Sequence, residues 1–225
     1  ATVAFEKALA RMKKNDLDGA LDALVVCFEQ MPEHPEGHYL RARIYYSEKD
    51  FSRALGEIEQ AEAGHEKTAD LQEGMQADRQ EALQERIRQK DDAISDQRAL
   101  LSTLPLDQRR RVEEKINQLQ GERETLVREV QDRSKGPAPT PARYSSLHGN
   151  ILLRLDRSPE AIAYYEKALK TDPGHGEAAN NLASIYHASG QNRKAMDIVT
   201  EAQKRGAKLH PELAKSIEAA LAKNP

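Results

Sequence analysis

The chain has 225 residues, of which 32% are charged and only 4% aromatic, and its formal net charge is -3. This charge gives no general attraction to nucleic acid or to an anionic membrane, so neither is expected as a partner. Because no run of about 18 or more apolar residues occurs, we expect no direct insertion into a membrane. The single cysteine, Cys27, excludes an internal disulfide and is expected to be a buried structural thiol.

Small and apolar residues recur with a period of 34 residues in both terminal parts of the chain. Near the N-terminus, one set is followed by a second set 34 residues later: Ala8, Ala20, Leu24 and Cys27, then Ala42, Ala54, Ile58 and Ala61. Near the C-terminus, the sets are Gly149, Ala161, Tyr165 and Ala168, then Ala183, Ala195, Val199 and Ala202. This period predicts a helical solenoid, with the small residues where paired helices approach closely.

The stretches YSSLHGNILLRLDRSPEAIAYYEKALKTDP and AANNLASIYHASGQNRKAMDIVTEAQKRGA resemble the tetratricopeptide repeat family. The resemblance implies an all-α solenoid of about four repeats, two in residues 1–65 and two in residues 142–209. An amphipathic helix in residues 210–225 is expected to cap it. In the first repeat, Lys7 and Arg11 replace residues that are usually apolar, so its first helix is expected to be rotated. Since the chain begins at Ala1 inside this repeat, we expect that it has been trimmed or processed.

Residues 66–135 are predicted to form a projecting antiparallel coiled-coil hairpin. The second helix of repeat two has no terminating proline and should run on, while Pro105 suits the start of a returning arm from Leu106 to Ser134. Heptad spacing assigns the seam: Leu83, Ile87, Ile94, Leu101, Val112, Ile116, Leu119, Leu126 and Val130. Polar side chains also fall in the seam, so a partner or a second copy could complete it.

A proline- and glycine-rich linker is expected at residues 136–141, before the third repeat. Two arrangements of the repeats remain open. The hairpin is either an insertion into one stack of four repeats or a rod between two separate pairs. We favour the single stack, because about three or more repeats are needed to bury a stable core.

The family resemblance places the first helix of each repeat on a concave groove that holds extended peptides. Asn150 and Asn181 match the asparagines that contact the peptide backbone, and Lys215 resembles a lysine that grips acidic C-terminal tails. Ser146 and Pro211 depart from that pattern, which leaves three alternatives: tail recognition, general peptide binding, and polar residues that only solvate the groove. The other expected groove residues are Arg143, Leu153, Asn180, Ser184, His187, Tyr39, Arg43 and Tyr46.

No pattern of residues indicates catalysis, a metal site or a cofactor. His34 and His38 lack further ligands nearby, the Arg109–Arg111 cluster is followed at once by glutamates, and no glycine-rich phosphate loop is present. The sequence therefore predicts a non-enzymatic adaptor or assembly scaffold for a protein or peptide partner. Two alternatives are a structural protein that oligomerises through the coiled coil and a chaperone-like holder of secreted or membrane clients. The compartment, cytoplasmic or bacterial periplasmic, stays open.

Overall fold

The computed structural model describes residues 1–131 and 138–223, and in these ranges every regular element is helical. The helices are α1 Thr2–Lys13, α2 Leu17–Gln30, α3 Pro35–Ser47, α4 Phe51–Thr103, α5 Arg109–Gln131, α6 Ala142–Arg154, α7 Ser158–Thr171, α8 Gly176–Ala188, α9 Asn192–Lys204 and α10 Pro211–Lys223. The prediction of an all-α chain is confirmed. Parts of the expected linker and returning arm, including Gly136 and Ser134, lie outside the described residues.

The chain divides into two compact units, one formed by Ala1–Lys67 with Pro139–Pro225 and the other by Thr68–Ala138. The first unit contains four consecutive helix pairs, and the second contains most of α4 together with α5. The domain boundaries inferred from the sequence stay a prediction.

The same backbone turn joins the two helices of each pair in the first unit. Its central residue is left-handed each time, with φ of 60° at Asn15, 64° at Lys49, 59° at Asp156 and 78° at Gly190. Asn15 and Lys49 are 34 residues apart, as are Asp156 and Gly190. A left-handed conformation costs a residue with a Cβ roughly 1–2 kcal/mol, so packing of the helix pair stabilises this turn at Lys49 and Asp156.

The residues that define the 34-residue period are all buried, which confirms the helical solenoid. Ala8, Ala20, Ala42, Ala54, Ala161 and Ala195 are each 0% exposed. Gly149 shows why such positions are small, because a Cβ there would lie 2.7 Å from Cε1 of the buried Tyr165 ring. Ala8 is buried like its equivalents and Lys7 is exposed, and the expected rotation of α1 stays a prediction.

The second and third repeats share one hydrophobic core although the second unit separates them in sequence. Ile58 of α4 is buried in the same cluster as Tyr144 and Ile151 of α6. The carboxylate of Glu62, also buried, lies 3.1 Å from His148 Nδ1 and accepts a hydrogen bond of 3.3 Å from Ser145. These contacts favour one continuous stack of four helix pairs over two separate pairs.

The C-terminal helix α10 packs on the fourth pair. Ile217 is fully buried in a cluster with Ala183, Ala195 and Val199, and Leu213 packs against the edge of that cluster. This helix begins at Pro211, within residues 210–225, where a capping helix is expected.

In the second unit, α4 and α5 pair along apolar positions. Ile94 packs in one cluster with Ile116 and Leu119, and Leu101 and Val112 pack against that cluster. Each predicted seam residue is buried or half-buried: Leu83, Ile87, Ile94, Leu101, Val112, Ile116, Leu119, Leu126 and Val130. The polar seam position Lys90 pairs with Glu122 at 2.5 Å. Assignment of this pairing as a coiled coil stays a prediction.

We predict that Ala161→Leu lowers the free energy of unfolding by about 1–3 kcal/mol, because the added methyl groups overpack a helix crossing. Ala163, two residues along α7, is exposed, so Ala163→Leu is the matched control and should change stability little. Urea denaturation of both variants measures the difference. Equal effects of the two substitutions would show that the helix pairs do not pack in this register.

We also predict that a variant in which a short flexible linker replaces Thr68–Ala138 remains folded. The core shared by repeats two and three lies entirely in the first unit, so its buried contacts survive the deletion. Thermal unfolding followed by circular dichroism should show one cooperative transition near that of the parent chain. A broad, non-cooperative loss of helix would contradict the single stack.

Candidate peptide-binding groove

The first helices of the four pairs line a common cleft of about 310 Å³. Its lining residues come from α1, α3, α6 and α8: Met12, Tyr39, Arg43, Tyr46, Ser47, Arg143, Leu147, Asn150 and Glu177. The cleft forms because the small residues of each helix pair pack against the neighbouring helix. The larger side chains of the first helices are then left facing the cleft.

Tyr39 is the centre of the cleft's aromatic part. Its ring stacks on the buried Tyr144 with centroids 4.7 Å apart. The guanidinium carbons of Arg43 and Arg143 lie 5.9 Å and 5.5 Å from the Tyr39 centroid, within the range of cation–π attraction. Burial raises the pKa of the Tyr39 hydroxyl, and the two arginines partly oppose that rise, so the hydroxyl stays protonated near neutral pH.

Asn150 is engaged by its own chain. Its Oδ1 accepts hydrogen bonds from the Tyr165 hydroxyl at 2.8 Å and from Asn181 Nδ2 at 2.7 Å, and its Nδ2 donates to Glu177 Oε1 at 2.6 Å. The fully buried Tyr165 hydroxyl needs this acceptor. Replacement of Asn150 would therefore disturb the core as well as the cleft, contrary to the simple expectation that its side chain only faces a peptide.

Five of the expected groove residues line the cleft: Tyr39, Arg43, Tyr46, Arg143 and Asn150. Asn181 lies beside them through its bond to Asn150. Ser146 does not face the cleft, since it is only 1% exposed, and Leu153 packs half-buried against the core of the third repeat.

The remaining expected groove residues lie nearer the C-terminal end and bond to neighbouring elements. The Asn180 side chain accepts from the His210 backbone N–H at 2.9 Å, and Ser184 donates to the carbonyl of Asn180. Nε2 of His187 lies 2.9 Å from the Ser216 hydroxyl, and Lys215 pairs with Glu212 at 3.0 Å. The cleft does not include these residues, so a longer groove that reaches α10 stays a prediction.

Sequence reasoning missed Met12, Ser47, Leu147 and Glu177 as cleft residues. The 34-residue period held the signal for three of them. Met12 is one period before Tyr46, Leu147 is one period before Asn181, and Glu177 is one period after Arg143. Equivalent positions on successive first helices face the same side of the solenoid. Adding or subtracting 34 from the number of each expected groove residue would therefore have identified these cleft residues.

Within residues 1–131 and 138–223, no group of three or more histidine, cysteine or acidic side chains is placed to hold a metal ion. No helix in the same part of the chain is long and apolar enough to cross a membrane.

Tetratricopeptide repeat models match the chain twice, over residues 5–69 and residues 152–222. No curated protein matches it significantly. Similar solved structures include the type IV pilus biogenesis factor PilW, at 17% identity and a TM-score of 0.44, with 99% of this chain and 86% of that chain covered. They also include TTC0263, a thermophilic TPR protein of Thermus thermophilus, at 16% identity, a TM-score of 0.40 and 98% coverage of both chains.

A third similar structure is the complex of the TPR2AB domain of yeast Sti1 with pHSP90, at 17% identity and a TM-score of 0.30. The alignment covers 99% of this chain and 97% of that chain. At these identities and TM-scores, the solved structures add no argument about function. The two matched ranges together cover more than half of the residues. The first runs from α1 into α4, and the second runs from the end of α6 into α10. The chain therefore belongs to the tetratricopeptide repeat family.

Proposed function

We propose that this protein is an adaptor whose cleft holds an extended segment of a protein partner. The tetratricopeptide repeat fold supports a role in protein–protein interaction in general. The observation that carries the finer proposal is the cleft itself, which four successive first helices line with aromatic, apolar and polar side chains. Pockets that bind ligands combine an apolar surface with a few polar groups in this way.

The apolar part of the cleft is formed by Met12, Tyr39, Tyr46 and Leu147, which come from three different helices. Tyrosines on a rigid helix contribute a large contact area at a low entropy cost and are enriched among residues that dominate binding energy. We infer that the chain acts by binding and not by catalysis, as is typical of adaptors in this family.

We predict that Tyr46→Ala weakens partner binding about 30-fold, the effect of removing an aromatic contact worth about 2 kcal/mol. Tyr45→Ala is the matched control. Tyr45 packs against the same core but lies outside the cleft, where the Arg53 guanidinium is 4.3 Å from its ring centroid. Partners captured from the native cell by wild type and each variant are quantified by mass spectrometry, and the affinity of the main partner is then measured. If both variants lost the same amount of partner binding, the cleft would not be the binding site.

The second unit is proposed as a second contact surface. Near the junction of α4 and α5, Leu106 is 83% exposed and Leu100 is 45% exposed. Apolar side chains this exposed are typical of surfaces that bind another molecule. The same observation favours a second candidate function, in which two copies of the chain associate through this unit.

Light scattering over a range of protein concentrations separates the two candidates. If the second unit mediates self-association, the mass of the full chain should rise with concentration, while the variant that lacks Thr68–Ala138 should stay monomeric. If the full chain stays monomeric at all concentrations, the chain does not oligomerise and the second candidate function is wrong. If the deletion variant still associates, the contact between copies lies outside the second unit.

A further inference from the structure

Among the residues that the structure describes, two charged side chains of opposite sign in the cleft have no partner of opposite charge. Arg43 is exposed on α3, and within the described residues no carboxylate lies within ion-pair distance of it. Glu177 is exposed on α8, and its described contact is with the neutral amide of Asn150. An amide hydrogen bond orients the Glu177 carboxylate but leaves its charge in place.

Neighbouring charges on the same helices are paired. Arg41, on the other side of α3, lies 2.8 Å from the carboxylate of Glu57, and Arg143 pairs with Glu36. Burial alone would raise the pKa of the Glu57 carboxyl. Hydrogen bonds from His38 and Arg41 outweigh the effect of burial, so the pKa of Glu57 is lowered. Positive charge therefore remains uncompensated at Arg43.

The uncompensated Arg43 charge lies beside the Tyr39 ring. Both Arg43 and Arg143 approach the Tyr39 ring, so two guanidinium groups from different helices face the same part of the cleft. A carboxylate placed there would meet the Arg43 guanidinium beside an Arg143 that already pairs with Glu36, and an arginine fork donates to a carboxylate with two parallel hydrogen bonds. Glu177 lines the same cleft from α8, where a cation would meet a carboxylate already oriented by Asn150.

We infer that the cleft selects a partner segment of mixed charge: an acidic side chain beside Arg43 and Arg143, a basic side chain at Glu177, and an apolar side chain between them. This inference rests on the proposed function, because it assigns the chemistry of the segment that the cleft would hold. Packed helices lie about 8–10 Å apart, so α3 and α8, with α6 between them, are separated by at most about 20 Å. An extended segment spans that distance in about six residues.

Leu147 and Tyr46 provide the surface for the central apolar side chain. The two end charges then fix how the segment lies along the cleft, because the reversed placement would put like charges together. Like charges in contact at an interface oppose binding, so the pattern discriminates among segments as well as attracting the correct one.

The test uses a phage-displayed library of random dodecapeptides as the probe, with the full-length chain as bait. Wild type should enrich peptides in which an acidic and a basic residue flank an apolar residue within about six positions. Arg43→Glu should lose the acidic preference, and Glu177→Lys should lose the basic preference. The exposed residues Arg193 and Glu218, which lie outside the cleft, provide the controls Arg193→Glu and Glu218→Lys, which should select the same peptides as wild type.

A selected peptide is then synthesised with a fluorescent label, and its affinity is measured by anisotropy. Arg43→Glu should weaken binding about 5- to 30-fold, and replacement of the acidic peptide residue with lysine should restore binding to that variant but not to wild type. Arg43→Gln removes the charge with less perturbation and should weaken binding to a smaller degree. Circular dichroism establishes that each variant is folded.

The outcomes separate this inference from the proposed function. Peptides selected without a charge preference, or with preferences that neither cleft variant changes, would overturn the mixed-charge inference and leave peptide binding in place. No peptide selected above background by wild type would overturn the proposed function, and the inference with it.

Discussion

The packing of α6 against α3 and the first turns of α4 is the contact on which the rest of the solenoid depends. Two helix pairs alone bury too little surface to be stable, and this contact joins the pairs that precede the second unit in sequence to those that follow it. The buried carboxylate of Glu62 makes the contact specific, since His148, Ser145 and Lys167 surround it, the last at 3.8 Å. A mispaired α6 would leave that charge buried and unpaired, at a cost of about 3–5 kcal/mol.

The sequence predicted the helix pairs well because the close approach of two helices restricts residue size at fixed intervals. Ala54 and Ala161 could be assigned from the 34-residue period alone, and both are fully buried. The core between repeats two and three could not be predicted in this way. Its polar members, Glu62 and His148, are 86 residues apart, and only the folded chain brings them together.

The cleft was predicted less completely than the fold. Family positions identified Tyr39, Arg43 and Asn150, but they did not reveal that Asn150 serves the buried Tyr165 hydroxyl. A hydrogen-bond partner depends on side-chain geometry across two helices, which a repeat pattern does not encode. The same limit applies to charge: a sequence shows arginines and glutamates, whereas the structure shows that Arg143 is paired and that, among the described residues, Arg43 is not.

The lone thiol of Cys27 gives the first repeat a chemical reporter. Its side chain is 0% exposed on α2, and burial raises its pKa, so a thiol reagent reaches it only when this repeat opens. The labelling rate of Cys27 would therefore report the opening of this repeat without any engineered cysteine.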